Sequence, residues 1–156
     1  MNPVVVFSSK KGNTQKVTQE IVQELNCKAI KLSEETDFSI IQLKDYDLVF
    51  LGTWIRGGHA SPEMVKFLEQ LDFPDSNRHF ALFMTWAGGG KSDAWAFMKV
   101  KDLLQAKNQK LVADYYKCLG KTFGFARKGH PNAQELADAR KWASNLLCEL
   151  ETDSSN

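Results

Sequence analysis

Three short runs of this chain, residues 4–7, 48–51 and 80–84, are apolar at every position. A strand with one wet face alternates polar and apolar side chains. A run without alternation is buried on both faces, as in a parallel sheet covered by helices. Amphipathic segments separate these runs. The pattern predicts strands over 3–8, 28–32, 47–52, 79–85 and 110–118, with helices over 13–26, 62–71, 92–107 and 132–150 and a short, weak one near 39–44. Val17, Ile21 and Leu25 lie four apart on the first helix. The third begins with Ser61 as N-cap and Pro62 at the first helical position, and buries Met64, Phe67, Leu68 and Leu71. Asn132 and Glu135 make a capping-box-like pair before a last stripe of Leu136, Ala139, Ala143, Leu146, Leu147 and Leu150. Strands alternating with helices give a doubly wound α/β fold, and right-handed crossovers leave few topologies for it.

The 156 residues suit one hydrophobic core, expected over 1–150 with a frayed polar tail at 151–156. Twenty Lys and Arg against nineteen Asp and Glu leave a net charge of +1, which gives no overall reason to expect nucleic acid. No apolar stretch approaches the ~20 residues that cross a bilayer. A first strand at Pro3 leaves no room for a signal peptide. Cys27, Cys118 and Cys148 are odd in number and widely spaced, and read as reduced, mostly buried thiols of a cytoplasmic protein. His59, His79 and His130 show no ligand spacing, so no metal site is expected.

Ligands of doubly wound sheets bind beyond the carboxyl ends of the strands, which directs attention to four loops. The first, Ser9-Lys10-Lys11-Gly12-Asn13-Thr14, carries a buried strand into a helix N-terminus. The free N–H groups of such a first turn and the helix dipole suit an anion, although a plain strand-to-helix turn looks the same in sequence. The second loop, 53–61, opens with Thr53 and Trp54, and the third, 85–92, with Thr85 and Trp86. One tryptophan after a strand reads as core packing. Two on neighbouring strand ends make a flat aromatic ligand the better explanation, with loop glycines exposing backbone polar groups to its edge. Gly90-Lys91-Ser92 resembles the end of a Walker A loop, but Thr85 stands where its first glycine is required. The fourth loop, 120–131, holds Lys121, Phe123, Phe125, Arg127, Lys128 and His130. It reads either as a solvated connection or as a basic, aromatic lip beside the ligand.

Together these features resemble the short-chain flavodoxins over nearly the whole chain. The likeness rests on Phe7-Ser-Ser-Lys-Lys-Gly-Asn-Thr14, on Asp45-Tyr-Asp-Leu-Val-Phe-Leu-Gly-Thr-Trp54, and on Gly129-His-Pro-Asn132 before the last helix. It implies a three-layer sandwich with a five-stranded parallel sheet in the order 2-1-3-4-5 and non-covalently bound FMN. By position, Ser9, Lys10, Lys11, Gly12, Asn13 and Thr14 would hold the phosphate. Thr53, Trp54, Ile55, Arg56 and Gly57, with Thr85, Trp86, Ala87, Gly88, Gly89 and Gly90, would hold the ring, with Trp54 and Trp86 stacking on it. The family's phosphate loop carries a hydroxyl where this chain has Lys11. The third loop lacks the family's acidic and tyrosine residues. Flavodoxins are typically acidic, whereas loops two to four here hold Arg56, Lys91, Lys121, Arg127 and Lys128, five cations and no acid. A basic rim stabilises anionic reduced flavin and so raises the potential of the second electron.

The resemblance implies a monomeric electron carrier passing electrons between proteins, its partner bearing an acidic docking face. No side chain is assigned a catalytic role, because flavin carries the chemistry. The alternative is a small FMN-dependent reductase or oxidase acting on a planar acceptor such as a quinone or tetrapyrrole. His59 and His130 are then the available acid–base groups. A third class, a flavin-free regulatory module, is separated from both by the colour of the purified protein.

Overall fold

The computed structural model describes residues 1–70, 72, 78–121 and 128–154. Leu71 of the expected helical stripe and Phe123, Phe125 and Arg127 of the fourth loop lie outside the described residues. The described residues form seven strands and four α-helices. They are β1 (Pro3–Ser8), α1 (Asn13–Leu25), β2 (Lys28–Leu32), β3 (Leu48–Arg56), β4 (His59–Ala60), α2 (Pro62–Gln70), β5 (His79–Trp86), α3 (Ser92–Gln105), β6 (Lys110–Leu111), β7 (Tyr116–Leu119) and α4 (Ala133–Ser154). The sheet runs β2-β1-β3-β5, and β6 and β7 both pair in parallel with β5. The sheet thus has seven strands rather than five and is not wholly parallel, because β4 pairs antiparallel with β3; setting β4 aside and counting β6 and β7 as one interrupted strand gives the expected order 2-1-3-4-5.

Each non-alternating run sits between two helical layers. Val4, Val6, Val49, Leu51, Phe80, Leu82 and Met84 pack on Met64, Phe67 and Leu68 of α2 and on Ala96, Val100 and Leu104 of α3. Val5, Phe7, Leu48, Phe50, Ala81 and Phe83 face Val17 and Ile21 of α1 and Ala139, Ala143 and Leu146 of α4. Gly52 is forced by this packing. A Cβ there would lie 2.2 Å from Phe83 Cζ and 2.9 Å from Phe7 Cβ.

Four expectations need correction. The strand predicted over 110–118 is broken between β6 and β7. There Asp114 accepts the Trp142 indole N–H at 3.1 Å, and the Tyr115 hydroxyl turns away to donate to Asp93 at 3.0 Å. The weak helix near 39–44 is a single 3-10 turn, Phe38–Ile40, whose Ser39 amide donates to Asp37 Oδ1. The last helix does not fray at 150 but continues to Ser154, with Glu151 paired to the N-terminal ammonium at 2.5 Å. The cysteines are free but not mostly buried: Cys118 is buried, Cys27 half-buried and Cys148 exposed.

Candidate functional site

At the carboxyl end of the sheet the loops are tied from beneath by buried hydroxyls. Ser8, the last residue of β1, hydrogen-bonds Ser61 at the start of α2 through their hydroxyls. Thr53 of β3 accepts the Ser61 amide at 2.9 Å, and Ser61 Oγ accepts the Met64 amide at 3.2 Å, as its N-cap role requires. Separately, Thr14 Oγ1 of α1 and Thr85 Oγ1 of β5 lie 2.9 Å apart. Ser8, Thr14, Thr53, Ser61 and Thr85 are each at most 3% exposed. The side chains of Thr14, Thr53 and Thr85, three of the expected ligand contacts, are therefore engaged inside the protein. They fix one loop against the next instead of facing outward.

The second expected loop is a β-hairpin. β3 continues beside β5 through Trp54, opposite Thr85, and then turns back on β4, with Ile55 opposite Ala60 and Arg56 opposite His59. Gly57 and Gly58, at φ +58° and +77°, make the two-residue turn whose twist suits a hairpin. Ile55 belongs to the core under α2 and α3 and is 8% exposed, so it is not a lip residue.

Loop one supplies backbone donors. Gly12, at φ +81°, precedes α1, and no heavy atom lies within 4 Å of where its Cβ would be. Ser9 Oγ accepts the Gln15 amide at 3.2 Å, and Gly12, at the N-cap, has no side chain to cap the helix. Among the described residues no acceptor takes the Asn13 and Thr14 amides, the first donors of α1. Lys10 and Lys11 are both exposed. Loop three sits at the end of β5, which the Thr14–Thr85 contact holds against α1. Its glycines Gly88, Gly89 and Gly90 all have left-handed φ, +77°, +120° and +62°. Space around Gly89 and Gly90 is open. Only glycine adopts three such conformations in succession at low cost, and Ser92 Oγ donates to the Gly89 carbonyl at 3.4 Å.

The two tryptophans come to adjacent strand ends but leave the sheet on opposite faces. Trp54 shares the parity of Phe50, on the α1/α4 side. Trp86 shares that of Met84 and packs against the α2/α3 core. Strand alternation requires this, since Trp54 is level with Thr85 and Trp86 is one residue further. Trp86 is also covered: Lys117 Nζ of β7 stands 5.0 Å from its ring centroid. Lys117 pairs with Asp93 in the first turn of α3, a carboxylate that also accepts the Tyr115 hydroxyl. Burial pushes the Asp93 carboxyl up, but hydrogen bonds from Lys117, Tyr115 and the Ala94 amide outweigh it and hold the group below its ordinary value. Asp93, Tyr115 and Lys117 were not among the expected site residues.

Loop four leaves β7 at Gly120, whose amide donates to the Trp86 carbonyl at 2.9 Å. Asn13 Nδ2 donates to the Lys121 carbonyl at 3.1 Å, linking loops one and four. The return is organised by Glu135. Its Oε2 accepts the Asn132 amide and contacts His130 Nδ1, both at 2.7 Å, while its Oε1 accepts the Leu119 amide. Burial raises the Glu135 carboxyl, but these bonds outweigh it and the group is held below its ordinary value. His59 is likewise engaged, with its ring nitrogens 2.8 and 3.0 Å from Lys99 Nζ. Cys118 lies buried beside this loop, and burial pushes its thiol up to about 12, which removes it as a nucleophile. Arg56, Lys91, Lys121 and Lys128 are exposed around these loops.

The chain matches the Flavodoxin domain family over residues 4–124. It belongs to the flavodoxin family. Among curated proteins, this flavodoxin is 27% identical to the flavodoxin-like domain-containing protein BilS of Clostridioides difficile, over 94% of this chain and 97% of that one. It is 26% identical to an uncharacterized protein of Methanocaldococcus jannaschii, over 94% of this chain and 99% of the relative. Among solved structures, oxidised Flavodoxin 1 of Bacillus cereus superposes with a TM-score of 0.71 at 16% identity, covering 94% of this chain and 97% of that one. Among the described residues, no helix is long and apolar enough to cross a membrane, and no three His, Cys, Asp or Glu side chains gather as metal ligands.

Proposed function

We propose that this flavodoxin binds FMN at the carboxyl end of its sheet and carries electrons between protein partners in the cytoplasm as a monomer. The observation that carries the reading is the pair of first-turn amides at Asn13 and Thr14, which no acceptor among the described residues takes, beside an open left-handed Gly12. These groups fit a phosphate: amide N–H donors at a helix start, with Lys10 and Lys11 adding positive charge. The peptides of Gly88, Gly89 and Gly90 would meet the polar edge of the ring, and Trp54 one of its faces. Bound flavin would accept and release electrons, while the protein's residues bind it, orient it and set the charge around it. Arg56, Lys91, Lys121 and Lys128 form a basic rim that favours the anionic reduced cofactor and attracts an acidic partner.

The second reading, direct turnover of a planar acceptor, would draw on His59 and His130, which contact Lys99 and Glu135. The test is flavin analysis of the purified protein followed by binding titrations. A yellow protein releasing FMN is expected, with riboflavin binding at least ~100-fold more weakly, since each charge-assisted bond to phosphate contributes about 1.5–3 kcal/mol. A colourless protein that takes up no FMN, or equal affinity for riboflavin, would overturn the reading.

A further inference from the structure

Two large side chains on one face of α3 stand in water: Trp95 is 59% exposed and Met98 49% exposed. With Lys91, Lys99 and Asp102 they form a single stripe at spacings of three and four, starting in the glycine loop. The hairpin joins this stripe edge to edge. A Cβ on Gly58 would lie 2.9 Å from Trp95 Cε3, so the indole rests directly against the turn. Lys99 Nζ reaches His59, and His59 faces Arg56 across the hairpin. The result is one continuous surface, an indole and a thioether framed by the cations Arg56, Lys91 and Lys99.

Acids do little to offset it. Asp93 is 4% exposed and paired with Lys117, and Glu63 has one carboxylate oxygen fully buried. Asp102 is exposed, but it sits two helical turns beyond Trp95 on α3, away from the glycine loop. An exposed aromatic anchor ringed by one sign of charge marks an interface rather than plain solvated surface. Its small extent suits a short-lived encounter rather than a permanent complex.

From this juxtaposition we infer that the α3–hairpin face is where the electron-exchange partner docks, and that this partner presents an acidic surface with an apolar centre that receives Trp95. The inference rests on the electron-carrier reading and deepens it. The face begins at Lys91, one residue past Gly90, so a partner seated there lies against the loop assigned to the ring edge. The cations would steer the encounter and Trp95 would hold it, which separates their effects. Charge changes act on association and fade with salt, whereas loss of the indole shortens the complex at any salt.

An acidic [2Fe–2S] ferredoxin, titrated into the 15N-labelled protein as purified, provides the test. The expected result is chemical-shift change concentrated at Arg56, His59, Lys91, Trp95, Met98 and Lys99. Reversal of Lys91 and Lys99 to Glu should weaken binding at least ~10-fold at low salt, and Trp95→Ala should weaken it at high salt as well. Reversal of Lys28 and Lys31, exposed on the distant edge strand β2, should change it less than ~3-fold. Shift changes centred elsewhere, equal losses from the two reversals, absence of binding, or equal binding of a basic cytochrome c would each overturn the proposal. The titration does not depend on flavin, so a colourless protein that still gave the expected map would sink the FMN reading and leave the docking face standing.

Discussion

Replacing Lys117 with methionine probes whether its pair with the buried Asp93 carboxylate holds Trp86 in place. The Asp93 side chain is 6% exposed and Lys117 43% exposed. Removing one partner of a fully buried pair costs about 3–5 kcal/mol, and of a fully exposed pair about 0–1 kcal/mol. Here one charge is buried and the other half-solvated, and Asp93 keeps the Tyr115 hydroxyl and the Ala94 amide. The loss should be intermediate, about 2 kcal/mol, with about 0.5 kcal/mol more for the cation over the Trp86 ring. In urea the midpoint should fall without a change in slope. At roughly 2–4 °C per kcal/mol for a chain of this size, Tm should drop by about 5–10 °C. A double-mutant cycle with Asp93→Asn should return a coupling of about 1–2 kcal/mol.

The pH dependence fixes the sign. The folded Asp93 carboxyl is held below its ordinary value. Its contribution to stability is therefore complete above the unfolded value, near ~3.9, and is lost as pH falls through the lower folded value. The penalty for Lys117→Met should be full at pH 7 and shrink below about pH 4 as the carboxylate is protonated. A penalty under about 0.5 kcal/mol, or one that stays constant from pH 7 to pH 3, would refute this account and reduce Lys117 to a solvated strand residue.

Gly52→Ala should destabilise the protein by about 1–3 kcal/mol, because the new methyl meets Phe83 at 2.2 Å, and Phe83→Leu in the same chain should recover part of the urea midpoint. The Thr14–Thr85 contact makes a non-additive prediction. Either Thr→Val change alone strands a buried hydroxyl at a cost of about 1–3 kcal/mol, whereas the double change should cost less than the sum of the two, as urea titration of all four proteins would show.

Sequence was a good guide to fold and a poorer one to the orientation of side chains at the site. Non-alternation in the runs near Val4, Leu48 and Phe80 reports burial on both faces, and that property alone selects a parallel sheet between helical layers. Helix starts were equally legible where a local hydrogen bond defines them: Ser61 caps Met64, and Asn132 and Glu135 bond reciprocally. The hairpin at Gly57 and Gly58 was not, because a two-glycine turn flanked by Arg56 and His59 looks like any glycine loop until β3 is seen running on past the sheet. Trp54 and Trp86 were placed correctly at neighbouring strand ends, but their faces depend on register. A one-residue offset between β3 and β5 puts them on opposite sides. The Asp93–Lys117 pair joins residues from α3 and β7, a partnership set by the interrupted fifth strand that no local pattern encodes.

The engagement of Thr14, Thr53 and Thr85 inside the protein bears on the least typical residue of the first loop. A site that binds phosphate chiefly through hydroxyl side chains would lose much of its capacity when one hydroxyl becomes Lys11. This site is built differently. Its buried hydroxyls hold β1, β3, β5 and the helix starts in fixed relation, and the groups left to meet a phosphate are the backbone amides at Asn13 and Thr14, which no acceptor among the described residues takes. Backbone donors survive any side-chain change that preserves the loop's dihedrals. The residue that constrains the cradle is therefore Gly12, at φ +81°, rather than its neighbour at position 11. Gly12→Ala meets no atom within 4 Å, yet must hold a left-handed conformation that costs a β-carbon about 1–2 kcal/mol. It should weaken FMN binding in a fluorescence titration by about ten-fold while Lys11→Thr weakens it less, because one alters the path of the donors and the other removes a single exposed cation. The reverse order of effects would show that side chains rather than backbone make the phosphate site.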